Sequence, residues 1–373
     1  MVHGPNSVRI DLSALVHNLG EIEKLTADHA RIMGIVKSDA YGHGLLHVSR
    51  TLEESHIDCL GVAHLHEALE LRQAGIRARI VLLCSIQTRD ESRQAVENDL
   101  TPVLFDMNMA EVLAQESVRR GKVMPIHLKI DTGMGRLGIP HTEIAAALEK
   151  IKGHKGLKLE ALASHLSCSD ESEKGFTRTQ IDHFRKSVAL GRSLGFPLDL
   201  NHLANSGGIM NHRESHFEMV RPGIMLYGGL PSPEFQSPVS LRPAMHFTGK
   251  IIQIRELPAN APVSYGRTYY TKDRCRIAVL SAGYGDGLPR SMSNRGEVLI
   301  RGKRAPIVGT ICMNLITCDV SHLEEVRPGD EVVFMGSQGD QAITADDIAR
   351  WAGTISYEIF CSIGQRNPRE YMS

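Results

Sequence analysis

The sequence predicts an α/β chain, a (β/α)8 TIM-type barrel followed by a mainly-β C-terminal domain. Three observations carry this. Eight short apolar runs recur between residues 32 and 220, separated by helix-length amphipathic segments. A Gly- and Pro-rich stretch, "YGGLPSPEFQSP" at 227–238, then ends that rhythm. Beyond it, residues 245 to 335 alternate apolar and polar between turn residues, the pattern of antiparallel strands.

In chain order the strand runs are "IMGIV" (32–36), "CLGVA" (59–63), "RIVLLC" (79–84), "TPVLF" (101–105), "IHLKI" (126–130), "LEALAS" (159–164), "LDLNHLA" (198–204) and "FEMV" (217–220). Segments such as "LHEALELRQAG" (65–75), "NMAEVLAQESVRRG" (108–121) and "TRTQIDHFRKSVALGRSLG" (177–195) step apolar residues by three and four and stop near a glycine, so they read as helices. Such βαβ units wind right-handed and close into a barrel. The first and last runs are short, which leaves a seven-unit or open sheet as the alternative. The division is expected near residue 235, with 1–235 as the barrel and 236–373 as the β-rich domain. A late helix is expected at "TADDIARW", where Thr344 caps and Asp347 stands three residues on.

Composition narrows the class. The chain has 373 residues, 42% of them hydrophobic and 23% charged, and a formal net charge of −1, which gives no electrostatic footprint for nucleic acid or a membrane surface. Seven cysteines without a C-x-x-C pair argue for reduced thiols rather than a disulfide framework or zinc ribbon. The opening "MVHGPNSVRIDLSALVHNLG" lacks the charged and apolar regions of a signal peptide, and no stretch approaches the ~18 apolar residues of a membrane span. A soluble, cytoplasmic protein is expected.

Barrel enzymes place their chemistry where strands end. Those positions hold Lys37, His64, Ser85, Asp106, Lys129 with Asp131, His165, Asn205 with Ser206, and Arg221. Two lysines, histidines and an arginine, with no facing pair of acids, exclude a glycosidase arrangement. "GMGRLG" (133–138) fits G-x-G-x-x-G, but Pro140 interrupts the helix that a dinucleotide site must open. "HLH" (64–66) offers two histidines to a metal, yet the eighth strand ends in "RPG", an arginine where a metal hydrolase wants an aspartate. No metal is expected. Two readings remain open on the residues alone. In one, every polar end is a solvated loop. In the other, Lys37 at the inner end of a strand is a nucleophile: burial lowers a lysine's pKa and frees its amine to condense with an aldehyde such as pyridoxal 5'-phosphate (PLP). "NSGG" (205–208) and "RPGI" (221–224) would then supply N–H and hydroxyl donors to a phosphate.

The segments "VKSDAYGHG" (36–44), "LKIDTGMGRLG" (128–138), "HLANSGG" (202–208), "MVRPGIMLYG" (219–228), "VSYGRTY" (263–269), "GYGDGLPR" (283–290), "ICMN" (311–314) and "TISYEIFCSIGQRNPR" (354–369), in this order, resemble alanine racemase. The resemblance covers nearly the whole chain and implies a PLP enzyme acting as a head-to-tail homodimer, interconverting L- and D-alanine and supplying D-alanine for the bacterial cell wall (peptidoglycan). It implies that Lys37 holds the cofactor and that Tyr41, Ser206, Gly223, Ile224 and Tyr357 surround its phosphate. Arg221 would face the pyridine nitrogen, with His165 beside it in a hydrogen-bonded chain. Tyr265 would enter the partner's site as the second base. Arg136 and the backbone at Met313, also crossing from the partner, would hold the substrate carboxylate, and Lys129 matches a lysine that is carbamylated in many members. Two bases on opposite faces suit a reaction that removes an α-proton and returns one to the other side.

The chain departs from the family pattern in three places, one of them Ser38, which varies the residue after the lysine in "KSDAYGHG". Asn314 follows Cys-Met where an aspartate is usual, and "GYGDG" has Gly285 where alanine is commoner. Rival functions are a racemase of serine, lysine or a broad range of amino acids, a non-catalytic PLP-binding barrel, and an aldolase or decarboxylase on the same architecture.

Overall fold

The computed structural model describes residues 4–373; residues 1–3, which the expected division puts in the barrel, lie outside the described residues. Parallel strands Arg31–Ile35, Cys59–Val62, Arg79–Leu82, Thr101–Leu104, Met124–Asp131 and Leu157–Ala163 run side by side in that order. Their side chains are almost all buried, as expected of strands packed on both faces. The seventh stave is reduced to His202, which bridges Ala163 on one side and Met219 on the other. Its neighbour Asn201 explains the reduction: the side-chain Oδ1 accepts the Leu162 N–H at 2.9 Å, so a side chain replaces part of the backbone ladder. The eighth stave, Met219–Val220, returns to Arg31–Ile35 through Arg31↔Met219 and Ile32↔Val220. Eight staves close the barrel, and the open-sheet alternative falls.

Helices pack outside. Thr88, Asp106 and Asn205 cap three of them by accepting an N–H from the first turn, which fixes where each loop hands over to its helix.

The β-rich part is organised around one long strand, Met245–Leu257. It pairs antiparallel with Cys275–Leu280 and Glu331–Gln338. The expected helix appears as Ala345–Ala352, capped by Thr344 with Asp347 answering. One strand was expected in neither place. Ser7–Asp11 joins this second sheet, antiparallel to Met245–Leu257 and parallel to Arg369–Met372, although residues 1–235 were expected to form the barrel. Its sequence gives the reason. In "SVRID" only Val8 and Ile10 are fully buried, an alternation suited to a sheet with one wet face and unlike the continuous apolar staves of the barrel.

Two backbones touch where the β-rich part meets the mouth of the barrel. Helix Ser356–Arg366 lies against the loop after Lys37, and a Cβ at Gly364 would collide with the Gly42 carbonyl. Gly42 sits at φ +80° and would meet the Phe360 carbonyl in the same way. Gly364→Ala is therefore expected to lower unfolding free energy by roughly 1–3 kcal/mol through forced backbone separation. Urea titration of the variant checks this; an unchanged midpoint would show that the two segments separate freely.

Candidate active site

Lys37 ends the first stave and begins an unusual turn. Ser38, Asp39, Ala40 and Tyr41 all have φ between 51° and 56°, a left-handed helical turn made without glycine. Such a conformation costs about 1–2 kcal/mol per residue, so its surroundings must hold it. Asp39 does much of this. Its carboxylate accepts the Leu45 N–H at 2.7 Å and pairs with Arg369, whose guanidinium also donates to the Gly42 carbonyl at 2.9 Å. Buried Glu67 accepts the Ser38 N–H at 2.5 Å and the N–H groups of Ala63 and His64. The turn aims Lys37 into the mouth of the barrel.

A cavity of about 560 Å³ opens there. Lys37, Tyr41, Lys129, Arg136 and His165 line it, and so do Ser206, Arg221, Gly223, Ile224 and Tyr357. Ten positions scattered from 37 to 357 in the sequence thus converge on one space. His64 and His66 do not line it: His64 caps a helix and stacks on His66. The "GMGRLG" segment is a loop that leads into the short strand Ile139–Pro140, not a helix, so it offers no dinucleotide turn.

The electrostatics are one-sided. Lys37, Lys129, Arg136 and Arg221 bring four cationic side chains, while the one acid of the lining, Asp131, is occupied. Burial alone would raise the Asp131 pKa. The N–H groups of Gly133, Gly135 and Met134 outweigh burial and hold the carboxyl below its ordinary value. Desolvation lowers the Lys37 pKa, and the positive charges of Arg136 and Arg221 lower it further. Lys129 is pushed well below the usual lysine range by burial first and then by the same two arginines. Both lysines are thereby moved toward the neutral, nucleophilic amine.

Arg221 organises the floor. Its guanidinium meets His202 Nδ1 at 2.7 Å and His165 Nδ1 at 3.0 Å, and donates to the carbonyls of Ser164 and Leu203 at 2.7 and 3.1 Å. Because a guanidinium only donates, both Nδ1 atoms must accept, and each ring carries its proton on Nε2. His202 Nε2–H in turn donates to His127 Nδ1 at 2.9 Å. Burial, and then Arg221, keep His165 and His202 far below the ordinary histidine pKa. Burial brings Arg221 itself down to about 10, still charged at neutral pH.

The opposite end is a donor-rich cradle. Gly223 N–H reaches Ser206 Oγ at 3.1 Å, and a Cβ at Gly223 would stand 2.5 Å from the Tyr41 hydroxyl. Ser206 opens a short helix capped by Asn205. Tyr41 lies between Tyr227 and Tyr357, with ring centroids 4.9 and 5.7 Å away. Burial raises the pKa of Tyr41 and of Tyr357, so both remain neutral hydroxyls able to donate.

Tyr265 and Met313 stand apart. They do not line the cavity, and they are 71% and 58% exposed, with Tyr270, Tyr284, Leu315 and Ile355 also exposed. Four residues escaped the sequence reading. His127 and His202 each interrupt an apolar stave run with a histidine, and that interruption was the available signal. Cys84 and Cys361 line the cavity, and nothing in their sequence surroundings marks them.

A closed parallel barrel with this basic mouth is joined to an antiparallel domain bearing an exposed tyrosine. Models of the alanine racemase N-terminal and C-terminal domains match residues 10–231 and 244–371. Alanine racemase 2 of Caldanaerobacter subterraneus subsp. tengcongensis is 43% identical over 99% of this chain and 95% of its own length. Alanine racemase of Syntrophobacter fumaroxidans is likewise 43% identical, over 98% of this chain and 96% of its own. The crystal structure of alanine racemase from D-cycloserine-producing Streptomyces lavendulae superposes with a TM-score of 0.93 at 34% identity, covering 100% of this chain and 98% of that one. The chain belongs to the alanine racemase family.

The His127 ring is pushed down to about 3 by burial, against about 6.5 in an unfolded chain. Between those values the unfolded chain binds a proton that the folded one refuses, so stability rises with pH. Lowering the pH from 6.5 toward 3 is expected to cost up to about 1.4 kcal/mol per pH unit from this ring. His127→Gln, which keeps an acceptor for His202 but takes no proton, should flatten that part of the melting-temperature profile. An identical slope in the variant would remove His127 from the account.

Proposed function

We propose that the chain interconverts L- and D-alanine with PLP held on Lys37, each site being completed by a second copy of the chain. One observation carries the reading: a lysine inclined to neutrality stands in a cavity with a second such lysine and two guanidinium groups, and the one acid there is turned to its own loop.

The residues fit that cofactor. Gly223 leaves room that any side chain would fill, and Ser206, Tyr41, Tyr357 and the backbone of Ile224 can donate to a phosphate. At the other end Arg221, which can only donate, would face the ring nitrogen. When bound, PLP withdraws electrons from the substrate and makes its α-proton removable.

The chain's own groups would then divide the work. Lys37 Nζ takes or returns the α-proton on one face, and its lowered pKa suits that exchange near neutral pH. Tyr265 Oη serves the other face from the partner subunit, which accounts for its exposure and its distance from its own cavity. His165, whose Nε2–H is left free when Nδ1 accepts from Arg221, donates to the phenolate and stabilises it. Arg136, at the rim, and the Met313 backbone of the second copy hold the substrate carboxylate. Lys129, as the neutral amine, can add carbon dioxide: an Nζ–C bond forms as one C–O π bond opens onto oxygen, one N–H proton leaves, and a neutral group becomes an anion able to brace Arg136. The exposed aromatic and apolar set around Tyr265 and Met313 supports a homodimer with shared sites. Among the described residues no helix is long and apolar enough to cross a membrane. We assign the protein to the cytoplasm, with D-alanine passing to peptidoglycan synthesis, and keep the division near residue 235 with Ser7–Asp11 set in the second domain.

Chiral chromatography tests the reaction. Protein with PLP is incubated with L-alanine and with a panel of other L-amino acids. Rapid D-alanine formation is expected, with losses of at least about 10²-fold in Lys37→Ala and Tyr265→Phe. Mixing those two variants should restore part of the activity, since one hybrid site then holds both bases. Faster turnover of serine or lysine would keep the mechanism and change the substrate; no turnover with PLP bound would leave the carrier reading.

A further inference from the structure

Gly285 and Asn314 lie against each other in space. A Cβ at Gly285 would stand 2.9 Å from the Met313 carbonyl oxygen and 3.0 Å from Asn314 Nδ2. That Nδ2 donates to Asp286 Oδ2 at 3.4 Å. The same carboxylate accepts the Gly283 N–H at 2.9 Å on Oδ2 and Asn6 Nδ2 at 3.1 Å on Oδ1. Main-chain bonds tie the two segments directly: Tyr284 N–H donates to the Cys312 carbonyl at 3.0 Å and Gly285 N–H to the Met313 carbonyl at 2.6 Å.

We propose that Gly285, Asp286 and Asn314 form a clamp that sets the position of the Met313 peptide, and that Asn314 and Gly285 work only as a pair. The proposal rests on the reading that Met313 serves the carboxylate subsite of the partner copy. The physical case is local. An aspartate at 314 would bring a second carboxylate against Asp286, with like charges in contact and no amide to bridge them. An alanine at 285 would press its methyl on the Met313 carbonyl and on the Asn314 amide, and the segment would move by a few tenths of an ångström. Each change alone displaces the peptide. Made together, the methyl occupies the place the amide gives up and the carboxylate at 314 can turn to water, so much of the displacement cancels. These are positioning residues; none lines the cavity.

The measurement is a double-mutant cycle on the PLP-loaded dimer, reading KM and kcat for L-alanine. Alongside it, the inhibition constant of propionate, which carries the carboxylate without the amine, reports the subsite without turnover. Asn314→Asp and Gly285→Ala are each expected to raise KM and the propionate constant roughly three- to tenfold with kcat within about twofold, and the double variant to fall well short of their product. A second route avoids the glycine. Asp286→Asn with Asn314→Asp exchanges amide and carboxylate, and should recover most of what Asn314→Asp loses. Multiplicative effects in the cycle together with no recovery on exchange would overturn the clamp, as would equal changes in kcat and KM. If the unaltered chain racemises alanine but Met313→Pro, which removes the peptide N–H, leaves KM and propionate binding unchanged, the fault lies in the Met313 reading beneath it.

Discussion

Arg221 is buried, charged and bonded only to neutral acceptors, two ring nitrogens and two carbonyl oxygens, and this arrangement constrains the rest of the site. A buried charge without a counterion is costly unless every donor is used. Here four bonds engage its two terminal nitrogens, with donor capacity left over for a ligand, and, because it cannot accept, they dictate the tautomers of His165 and His202. The chain His202–His127 carries that order to the middle of the barrel. The same charge bears on Lys37 and Lys129, pressing both toward the neutral amine. A site of this kind is incomplete without an anion, and it selects ligands that bring one.

Much of this was legible in the sequence. Lys37, His165 and Arg221 follow apolar runs and Lys129 stands near the end of one, so the barrel rule alone put them at one mouth. Helix bounds at 65, 107 and 175 fell within two residues of the amphipathic segments. Tyr265, Met313 and Tyr357 were not reachable that way, since they stand outside the repeating units, and only the likeness of whole segments to a family singled them out.

What stayed hidden has long-range causes. Nothing in "SDAY" favours positive φ, and the left-handed turn is imposed by a partner of Asp39 at residue 369, 330 positions away. The seventh stave looked like its neighbours in "LDLNHLA", yet one asparagine side chain took over a ladder bond. The strand Ser7–Asp11 carried its own signal, a clean alternation, but its partners are spelled out only after residue 245. Local pattern tells what a segment can become. It does not name its neighbour when that neighbour is far along the chain.

That first strand has a consequence for how the molecule is made. Val8 and Ile10 find their places only between Met245–Leu257 and Arg369–Met372, while Asp11 already caps the helix that leads into the barrel. A ribosome releases residues in chain order, so this strand waits, unpaired and with an apolar face uncovered, until Met245–Leu257 has been made, and gains its second neighbour only with Arg369–Met372. Arg369, which steadies the lysine turn, arrives in the same last few residues. The barrel can begin to form early in translation, yet the turn that aims the lysine is secured only when Arg369 reaches Asp39 and the Gly42 carbonyl. A chain cut before residue 369 would thus yield a protein with most of its fold and an unfixed nucleophile.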